Sequence, residues 1–338
     1  MKAMVLKKIA LVETKPLILE DLSTPKPNSN EILIKVSTCG VCHTELDEIE
    51  GRKKPKPPVV PGHEVIGYVE KLGSKANKFK IGDRVGVAWI YHTCRKCKFC
   101  RNGMENLCSK FKATGCDENG GYAEYMVVSE DFAYHIPDVF SDLEAAPLMC
   151  AGAIGYRALK LTEMRDGDTI GLYGFGASAH IVIQLVKHLY PNSKIFVFTR
   201  RRNDEPSKLA LKMGADWVGV TGDTSPKKID KAVDTTPVGL PVKEALRNLE
   251  RGGRLVINAI RKETTIPELN YAIHLWNEKE IKSVANITRK DVQEFLPLAA
   301  EIPIKPEIKK FRLEEANEAL IMLKHGNYKG AGVLKILS

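Results

Sequence analysis

The sequence lacks a long apolar run, an amino-terminal export signal and repeated segments. No hydrophobic stretch in its 338 residues approaches the roughly 20 residues that a membrane-spanning helix needs, so we expect no membrane association. Met1–Ala10 is too short and too charged for a signal peptide, which favours a cytoplasmic location. Internal repeats and low-complexity segments are also missing, so we do not expect a repeat array.

Concentrated positive charge is missing as well, although the net charge is +9. Lys and Arg are spread along the chain, without an arginine-rich arm or a basic run interleaved with aromatic residues. We therefore expect no nucleic-acid partner. The excess positive charge fits a solvated surface and an anionic cofactor.

A disulfide framework is not expected from the eight cysteines. Most of them lie in short clusters, which fits metal ligation in a reducing compartment better than disulfides. The 43% of hydrophobic and 28% of charged residues are ordinary for a globular protein. A chain of 338 residues is long enough for two domains, each of which can bury its own core.

The densest cysteine cluster has the pattern Cys-x2-Cys-x2-Cys-x7-Cys and consists of Cys94, Cys97, Cys100 and Cys108. Four thiolates this close in sequence suit one tetrahedral zinc ion. The sulfurs are too close for two unstrained disulfides, an iron–sulfur run often ends in Cys-Pro, and a nucleic-acid zinc finger has a longer spacer. The pattern therefore predicts a structural zinc site, which holds a loop in place and does no chemistry.

The first 150 residues have the pattern of short strands separated by glycine- and proline-rich turns. This pattern changes near Ser141, which has capping-box spacing with Glu144. An Ala-rich helix is predicted from there through Cys150 toward Lys160. The residues after Ala285 resemble the first part of the chain again.

Between these two parts, predicted strands alternate with predicted helices. The strands are Thr169–Tyr173, Lys194–Thr199, Trp217–Val220, Lys231–Thr235, Arg254–Ala259 and Ile281–Ala285. The helices are Ser178–Leu189, Pro206–Met213, Pro241–Glu250 and Pro267–Trp276. Such alternation predicts an α/β fold with a parallel sheet between helices. We expect a dinucleotide-binding domain at 152–285, inserted in a β-rich domain at 1–151 and 286–338.

A glycine-rich turn joins the first of these strands to its helix. It contains Gly174, Gly176, Ala177 and Ala179 in the pattern G-x-G-x-x-A. Gly174 suits a tight turn, Gly176 allows the backbone to approach a pyrophosphate, and Ala179 permits close packing of helix and sheet. The helix amino terminus adds amide donors and a positive dipole. An ordinary strand–helix turn is the alternative, but the placement favours dinucleotide binding.

The end of the second strand of this domain indicates which dinucleotide binds. NAD sites usually have an acidic residue there, whereas this chain has Thr199 followed by Arg200, Arg201 and Arg202. Guanidinium groups pair with a 2′-phosphate, so the sequence favours NADP(H) over NAD(H). Two alternatives remain: a solvated basic loop, or an NAD ribose bound by Asp204 or Glu205.

Three further metal-ligand candidates lie far apart: Cys42 in CGVCHT, His63 in GHE, and Cys150 in PLMCAG. Taken singly, a cysteine in an Ala-rich helix is usually a core residue, and a single histidine is usually hydrogen-bonded within the fold. Residue types and spacing alone leave joint ligation undecided.

In these motifs and their order, the chain closely resembles the zinc-dependent medium-chain alcohol dehydrogenases. The likeness covers nearly all of the sequence. It rests on CGVCHTE at 39–45, PGHEVIGYVEKLG at 61–73, the four-cysteine cluster, GGYAEYM at 120–126, APLMCAG at 146–152 and the GxGxxA turn. The resemblance implies a GroES-like catalytic domain and a doubly wound Rossmann domain. It also implies a catalytic zinc on Cys42, His63 and Cys150 with Glu64 beside it, and thus two zinc ions per chain.

The resemblance also implies roles for residues of the CGVCHTE segment. Thr44 is expected to accept the alcohol proton, or to cap a helix, or both. Glu45 is expected to orient His63 through its second ring nitrogen. Asp47 stands where many members have a proton-passing histidine, so the outer end of the relay is left open between Asp47 and His43.

Other positions depart from the family or match none of its ligands. Ala331 stands where many members have an arginine near the cofactor, and Lys329 is a candidate replacement. Cys39 and Cys116 match no ligand position and are expected to pack in the core. Trp89 is expected, by resemblance, to line the substrate pocket, where its bulk favours small primary alcohols or aldehydes.

We therefore expect a zinc alcohol dehydrogenase that interconverts a primary alcohol and an aldehyde with NAD(P)(H), as a homo-oligomer, dimer or tetramer. A polyol or sugar dehydrogenase of the same superfamily is the first alternative. A zinc-stabilised nucleotide-binding protein without catalysis is the second, and it predicts one zinc ion per chain.

Overall fold

The computed structural model describes residues 1–337, which form two compact units. One unit consists of Met1–Cys150 and the carboxyl-terminal segment from Ile287 onward, and the other is Ala151–Asn286. Each junction differs by one residue from the expected domain boundary. In the described part of the chain, no helix is long and apolar enough to cross a membrane.

The secondary structure follows the two units. The strands are β1 Lys2–Leu6, β2 Leu17–Asp21, β3 Glu31–Val41, β4 Val65–Leu72, β5 Arg84–Val87, β6 Ile90–His92, β7 Lys112–Ala113, β8 Tyr125–Ser129, β9 Ala133–His135, β10 Thr169–Tyr173, β11 Lys194–Thr199, β12 Trp217–Val220, β13 Ile229–Asp234, β14 Leu249–Ile257, β15 Glu280–Ser283, β16 Ile308–Arg312 and β17 Ala331–Lys335. The helices are α1 His43–Ile49, α2 Lys98–Arg101, α3 Asp142–Ala145, α4 Ala151–Thr162, α5 Ala179–Leu189, α6 Glu205–Lys212, α7 Leu240–Asn248, α8 Tyr271–His274, α9 Arg289–Glu301 and α10 Ala316–His325.

The first unit is built around the long strand β3. The order of its main sheet is β16-β17-β3-β4-β5-β9, and β8 also pairs with β3. Alternate residues Ile32, Ile34 and Val36 of β3 are fully buried in the core of this unit. The carboxyl end of β3 leads directly into α1, so the strand holds the start of that helix in place.

The second unit is a six-stranded sheet in the order β12-β11-β10-β13-β14-β15. All neighbouring strands are parallel, which confirms the predicted parallel sheet. Strands β10, β11 and β12 have the predicted bounds. The chain reverses its direction of progress between β10 and β13, and ligands of such sheets bind outside the carboxyl ends of the strands at this switch point.

The predicted continuous helix from Ser141 toward Lys160 is wrong. Helix α3 ends at Ala145, a 3₁₀ turn spans Ala146–Met149, and α4 begins only at Ala151. Pro147 causes the interruption because its ring lacks an N–H and clashes with the carbonyl group four residues earlier. Cys150 therefore has a non-helical backbone, with φ −128° and ψ −77°.

The predicted helix Pro267–Trp276 is also too long. Only Tyr271–His274 is α-helical, because the side chain of Asn270 caps the helix by accepting a hydrogen bond from the Ile273 amide. Asn277 and Glu278 then have positive φ angles, which a helix cannot continue through.

Gly326 and Gly330, which precede β17, have the same φ angle but differ in the space around them. Gly326 and Gly330 both have φ +67°, but a Cβ atom at Gly326 would meet nothing within 4 Å, whereas one at Gly330 would lie 2.0 Å from the Glu307 carbonyl oxygen. That oxygen accepts the amide of Ala331, where β17 begins. Gly330 is therefore needed for space as well as for its backbone angle.

We expect Gly326→Ala to lower the free energy of unfolding by about 1–2 kcal/mol, because only left-handed backbone strain is added. Gly330→Ala should lower it by roughly 2 kcal/mol more, because the methyl group also overpacks the start of β17. Urea unfolding of both variants gives the comparison. Equal losses would show that the contact with Glu307 does not constrain this site.

Candidate metal and cofactor sites

The first ligand candidate, Cys42, lies at the junction between β3 and α1. Its backbone is extended, with φ −122° and ψ 162°, and its side chain accepts the amide of Glu45, so Cys42 caps α1. The carboxylate of Glu45 accepts the amide of Cys42 in return, at 2.9 Å. This reciprocal capping fixes the direction of the Cys42 thiol. The expectation that Thr44 caps the helix is therefore wrong.

The second candidate, His63, depends on the glycine before it. Gly62 has φ +100°, and a Cβ atom there would lie 2.4 Å from the ring of Tyr122 and 2.8 Å from the sulfur of Cys39. Only glycine fits both the angle and the space. Cys39 is fully buried in the core, as the sequence predicted. His63 itself is 0% exposed.

Glu64 also occupies space that a glycine provides. A Cβ atom at Gly40 would lie 1.8 Å from a carboxylate oxygen of Glu64. Gly40 and Gly62 belong to the motifs CGVC and PGHE, so the sequence contained this signal, although the reason for each glycine becomes clear only in three dimensions.

Cys150 completes the cluster because the break between α3 and α4 frees it from a helix. Donor atoms of Cys42, His63, Glu64 and Cys150 all lie within 4.8 Å of one another. The sulfurs of Cys42 and Cys150 are 4.0 Å apart, too far for a disulfide and close to the spacing of about 3.8 Å for two tetrahedral zinc ligands. The second ring nitrogen of His63, Nε2, is buried and has no hydrogen-bond partner among the residues that the structure describes. A buried nitrogen of this kind requires a partner, and zinc fits the donor set.

Glu45 holds the imidazole of His63 from the opposite side. Its carboxylate hydrogen-bonds Nδ1 of His63 and also accepts the His63 amide at 3.2 Å. Glu45 is 0% exposed. A histidine anchored through Nδ1 presents Nε2 in a fixed direction, which is the arrangement expected of a metal ligand.

The negative charge of this buried cluster favours a cation. A hydrogen bond from the Cys150 thiol, opposed by burial, lowers the pKa of Cys42 well below its ordinary value. Burial and the neighbouring charge of Cys42 raise the pKa of Glu64. Burial is the largest single effect on His63 and disfavours a charged imidazole, but the charges of Glu45 and Cys42 and the hydrogen bonds to these residues together raise its pKa well above the ordinary value. A divalent cation would replace the protons that these groups otherwise hold.

The expected relay residues lie on α1, but in different surroundings. The Thr44 hydroxyl is buried and lies 3.7 Å from the Cys42 sulfur. The carboxylate of Asp47 is also buried and accepts Nε of Arg52 at 2.7 Å. His43 is exposed. The structure thus places Thr44 at the ligand cluster, Asp47 in an ion pair and His43 at the surface.

Trp89 lies between a cation and another aromatic ring. The ammonium group of Lys53 is 3.4 Å from the centre of the Trp89 ring, and the ring of Phe111 is 4.9 Å away on centre-to-centre distance. Burial lowers the pKa of Lys53. No sequence pattern connected Lys53 with Trp89, because a loop brings them together.

The four cysteines of the second cluster converge as predicted. Donor atoms of Cys94, Cys97, Cys100 and Cys108 lie within 4.8 Å of one another. The amides of Cys97 and Lys110 point at the sulfurs of Cys94 and Cys108, at 3.3 and 3.4 Å. Hydrogen bonds from backbone amides lower the pKa of Cys94 to about 6. Burial raises the pKa of Cys100 to about 12, so the surroundings favour a thiolate at Cys94 but not at Cys100, and a structural zinc would hold all four sulfurs as thiolates.

Ion pairs attach this cysteine loop to the rest of the first unit. Arg95, which lies between the first two cysteines of the cluster, pairs with Asp131. The buried carboxylate of Glu105 accepts both the amide and Nε of Arg289, at 2.9 and 3.1 Å. The loop is thus held by Glu105 as well as by its own sulfurs.

The glycine turn of the second unit has the geometry expected of a dinucleotide site. Gly174 has φ +86°, and a Cβ atom there would lie 2.8 Å from the Thr235 hydroxyl oxygen. A Cβ atom at Gly176 would meet nothing within 4 Å, so the backbone there borders open space that a pyrophosphate can fill. Ala177 follows this glycine, and Ala179, 1% exposed, begins α5. The residues present fit a dinucleotide.

The loop after β11 presents basic rather than acidic side chains. The hydroxyl of Thr199 is engaged internally with the Arg201 carbonyl group and with Ser207, both at 2.9 Å. The carboxylate of Asp204 caps α6 by accepting the Ser207 amide at 2.9 Å. Arg200 and Arg201 are exposed and form no ion pair within residues 1–337, whereas Arg202 pairs with Asp223. Thr199 therefore supports the loop, and the first two arginines are available to a ligand.

Comparisons with known proteins agree with this geometry. Residues 28–138 match the family model described as "Alcohol dehydrogenase GroES-like domain". A probable alcohol dehydrogenase, AdhA, from Mycobacterium tuberculosis is 44% identical over 335 residues, which cover 96% of this chain and 94% of the relative. An alcohol dehydrogenase from Geobacillus stearothermophilus is 36% identical over 97% of this chain and 99% of its own length.

Solved structures extend the likeness to the whole fold. The structure of CAD from Helicobacter pylori, described as complexed with NADP(H), superposes with a TM-score of 0.89 at 26% identity and covers 99% of this chain and 97% of its own. With 44% identity over nearly its full length, the chain belongs to the zinc-type medium-chain alcohol dehydrogenase family and is a nicotinamide-dependent oxidoreductase of the alcohol dehydrogenase type.

Proposed function

We propose that the protein interconverts primary alcohols and aldehydes with NADP(H), using a catalytic zinc on Cys42, His63 and Cys150 and a structural zinc on Cys94, Cys97, Cys100 and Cys108. The observation that carries the proposal is the convergence of donor atoms of Cys42, His63 and Cys150, together with Nε2 of His63, which is buried and has no hydrogen-bond partner within residues 1–337. Glu64 lies in the same cluster and is a further candidate ligand. Ligation by Cys42, His63 and Cys150 alone would leave a fourth position for the substrate oxygen.

When bound, zinc supplies a Lewis acid for the substrate oxygen, and the nicotinamide supplies the hydride acceptor or donor. The protein's own contribution is orientation and proton transfer. Thr44, beside Cys42, is placed to accept the proton of the alcohol hydroxyl. Glu45 keeps His63 in one orientation. The carboxylate of Asp47 is neutralised by Arg52, so the exposed His43 is better placed to exchange protons with solvent.

The preference for NADP(H) rests on the loop after β11. Arg200 and Arg201 are exposed and form no ion pair in the described part of the chain, and guanidinium groups can bind a 2′-phosphate in bidentate fashion. The nearest acidic residue, Asp204, is engaged in capping α6 and is thereby less suited to bind a ribose 2′-hydroxyl. The Helicobacter pylori structure described as complexed with NADP(H) supports the same choice.

A homo-oligomer is proposed from the free edge of the parallel sheet. Within residues 1–337, strand β15 pairs only with β14, and all four of its residues are exposed. Large apolar side chains are exposed on β15, at Ile281, and in the segment before it, at Tyr271, Ile273 and Trp276. Uncovered strand edges and apolar side chains favour association with a second copy. Sedimentation of the purified protein as a monomer would contradict this proposal.

Removal of one proposed ligand should separate the two zinc sites. We expect about two zinc ions per chain in the wild type and about one in Cys150→Ala, together with loss of turnover of at least about a thousandfold, because the open site is lost while the closed one remains. Elemental analysis, circular dichroism and steady-state kinetics provide the measurements.

The matched control is Cys116→Ala, which removes a buried cysteine outside both clusters. It should keep both zinc ions and most of the activity. Retained zinc and turnover in Cys150→Ala would refute the assignment of Cys150.

Charge reversal at the proposed phosphate site should change cofactor preference. Arg200→Asp should lower the NADP/NAD ratio of kcat/KM by about 10- to 100-fold, since a charge-assisted hydrogen bond contributes about 1.5–3 kcal/mol. Arg251→Asp is the control, because it makes the same charge change on an exposed residue near the amino end of β14. An unchanged ratio in Arg200→Asp, or an equal change in both variants, would exclude Arg200 as the discriminating residue.

A further inference from the structure

A buried ion pair lies at the carboxyl end of the parallel sheet, outside both proposed zinc sites. Asp234 is the last residue of β13, and its side chain is 0% exposed. The ammonium group of Lys262, from the loop after β14, lies 2.5 Å from one carboxylate oxygen of Asp234. Removing both charges from water costs free energy unless each group is fully hydrogen-bonded, so stability alone does not explain why the pair is present.

The pair clamps the turn that follows β13. The second carboxylate oxygen of Asp234 accepts the amide and the hydroxyl of Thr236, at 2.9 and 2.7 Å. Lys262 also donates to the Thr236 carbonyl oxygen at 2.7 Å. The turn is therefore held at its amide, hydroxyl and carbonyl groups by two charged side chains.

This turn packs against the glycine turn. A Cβ atom at Gly174 would lie 2.8 Å from the hydroxyl oxygen of Thr235 and 3.0 Å from the methyl group of Thr236. The amide of Thr235 also donates to the Tyr173 carbonyl oxygen at 2.9 Å, immediately before Gly174. Movement of the clamped turn would thus displace the first glycine of the dinucleotide motif.

The loop that carries Lys262 also reaches the start of α5. Asn258, directly after β14, donates from its side chain to the Ser178 hydroxyl at 3.2 Å and from its backbone to the Asp234 carbonyl oxygen at 2.8 Å. Farther along, Thr264 accepts the Gly239 amide at 2.9 Å. A continuous polar rim therefore connects α5, β13 and the loop after β14.

The position of this rim in the strand order indicates which half of a dinucleotide would lie beside it. In a doubly wound sheet the cofactor crosses the switch point, here between β10 and β13, with one mononucleotide half on each side. The arginine loop after β11 lies on the adenosine side. Asp234 and Lys262 lie beyond the switch point, on the side left for the nicotinamide half.

We propose that Asp234 and Lys262 are positioning residues for the nicotinamide half of the cofactor, which they serve by holding the Thr235–Thr236 turn against Gly174. The proposal rests on dinucleotide binding at the glycine turn but does not depend on the choice between NADP and NAD. Neither residue belongs to a motif by which the sequence was interpreted.

Isothermal titration of the zinc-loaded protein tests this role without a turnover assay. Lys262→Met should weaken binding of both NADPH and NADH by about tenfold or more, with the ratio of their dissociation constants unchanged. Binding of adenosine 2′,5′-bisphosphate, which lacks both the nicotinamide half and the pyrophosphate, should change by less than about twofold. Lys228→Met is the matched control, because that exposed lysine also donates to a backbone carbonyl oxygen, of Arg247, at 2.7 Å.

The double variant Asp234→Asn with Lys262→Met removes both charges and leaves neither unpaired. Because the two residues act through one clamp, its loss of NADPH affinity should match that of Lys262→Met and not multiply it. It also serves as the test protein if Lys262→Met fails to fold. Unchanged NADPH binding, or equal weakening of NADPH and adenosine 2′,5′-bisphosphate, would overturn the proposal. A changed NADPH/NADH ratio would instead concern the arginine loop.

Discussion

The structure depends on bringing Cys42, His63 and Cys150 to one point from segments that are remote in sequence. A separate local feature positions each donor. Reciprocal capping with Glu45 positions Cys42, the positive φ angle of Gly62 positions His63, and the helix interruption at Pro147 positions Cys150. These three features bring the donors to one point, where Nε2 of His63 is buried and has no hydrogen-bond partner within residues 1–337. A cation bound at this point would satisfy the nitrogen and balance the buried negative charge, so folding and metal binding would favour each other.

The side chain of Glu45 binds both backbone amides and the imidazole of a proposed metal ligand. Its carboxylate accepts the amide of Cys42, the amide of His63 and the hydrogen bond at Nδ1 of His63. It therefore fixes two of the three proposed ligands, although it is not a ligand candidate itself. The second unit uses Asp234 in a comparable way, since this buried carboxylate organises a turn and a neighbouring loop around a glycine that contacts the cofactor in our proposal.

Sequence patterns predicted correctly the elements that depend on residues close together in the chain. The bounds of β10, β11 and β12, the glycine turn and the four-cysteine cluster depend on residue periodicity and short spacing, and the structure has them as predicted. The prediction of a continuous helix through Cys150 was wrong, because Pro147 interrupts the helix despite the Ala-rich sequence around it. Two contacts join segments that are remote in sequence: the ion pair between Asp234 and Lys262, and the contact between Lys53 and Trp89. Residue periodicity describes only local structure, so it could not predict either contact.

The central claim is that one ion is shared by Cys42, His63 and Cys150. Anomalous diffraction at the zinc edge from crystals of the purified protein tests it most directly. We expect two peaks per chain, one of them about 2.3 Å from the sulfurs of Cys42 and Cys150 and about 2.0–2.1 Å from Nε2 of His63. A single peak, confined to the four-cysteine cluster, would contradict the account.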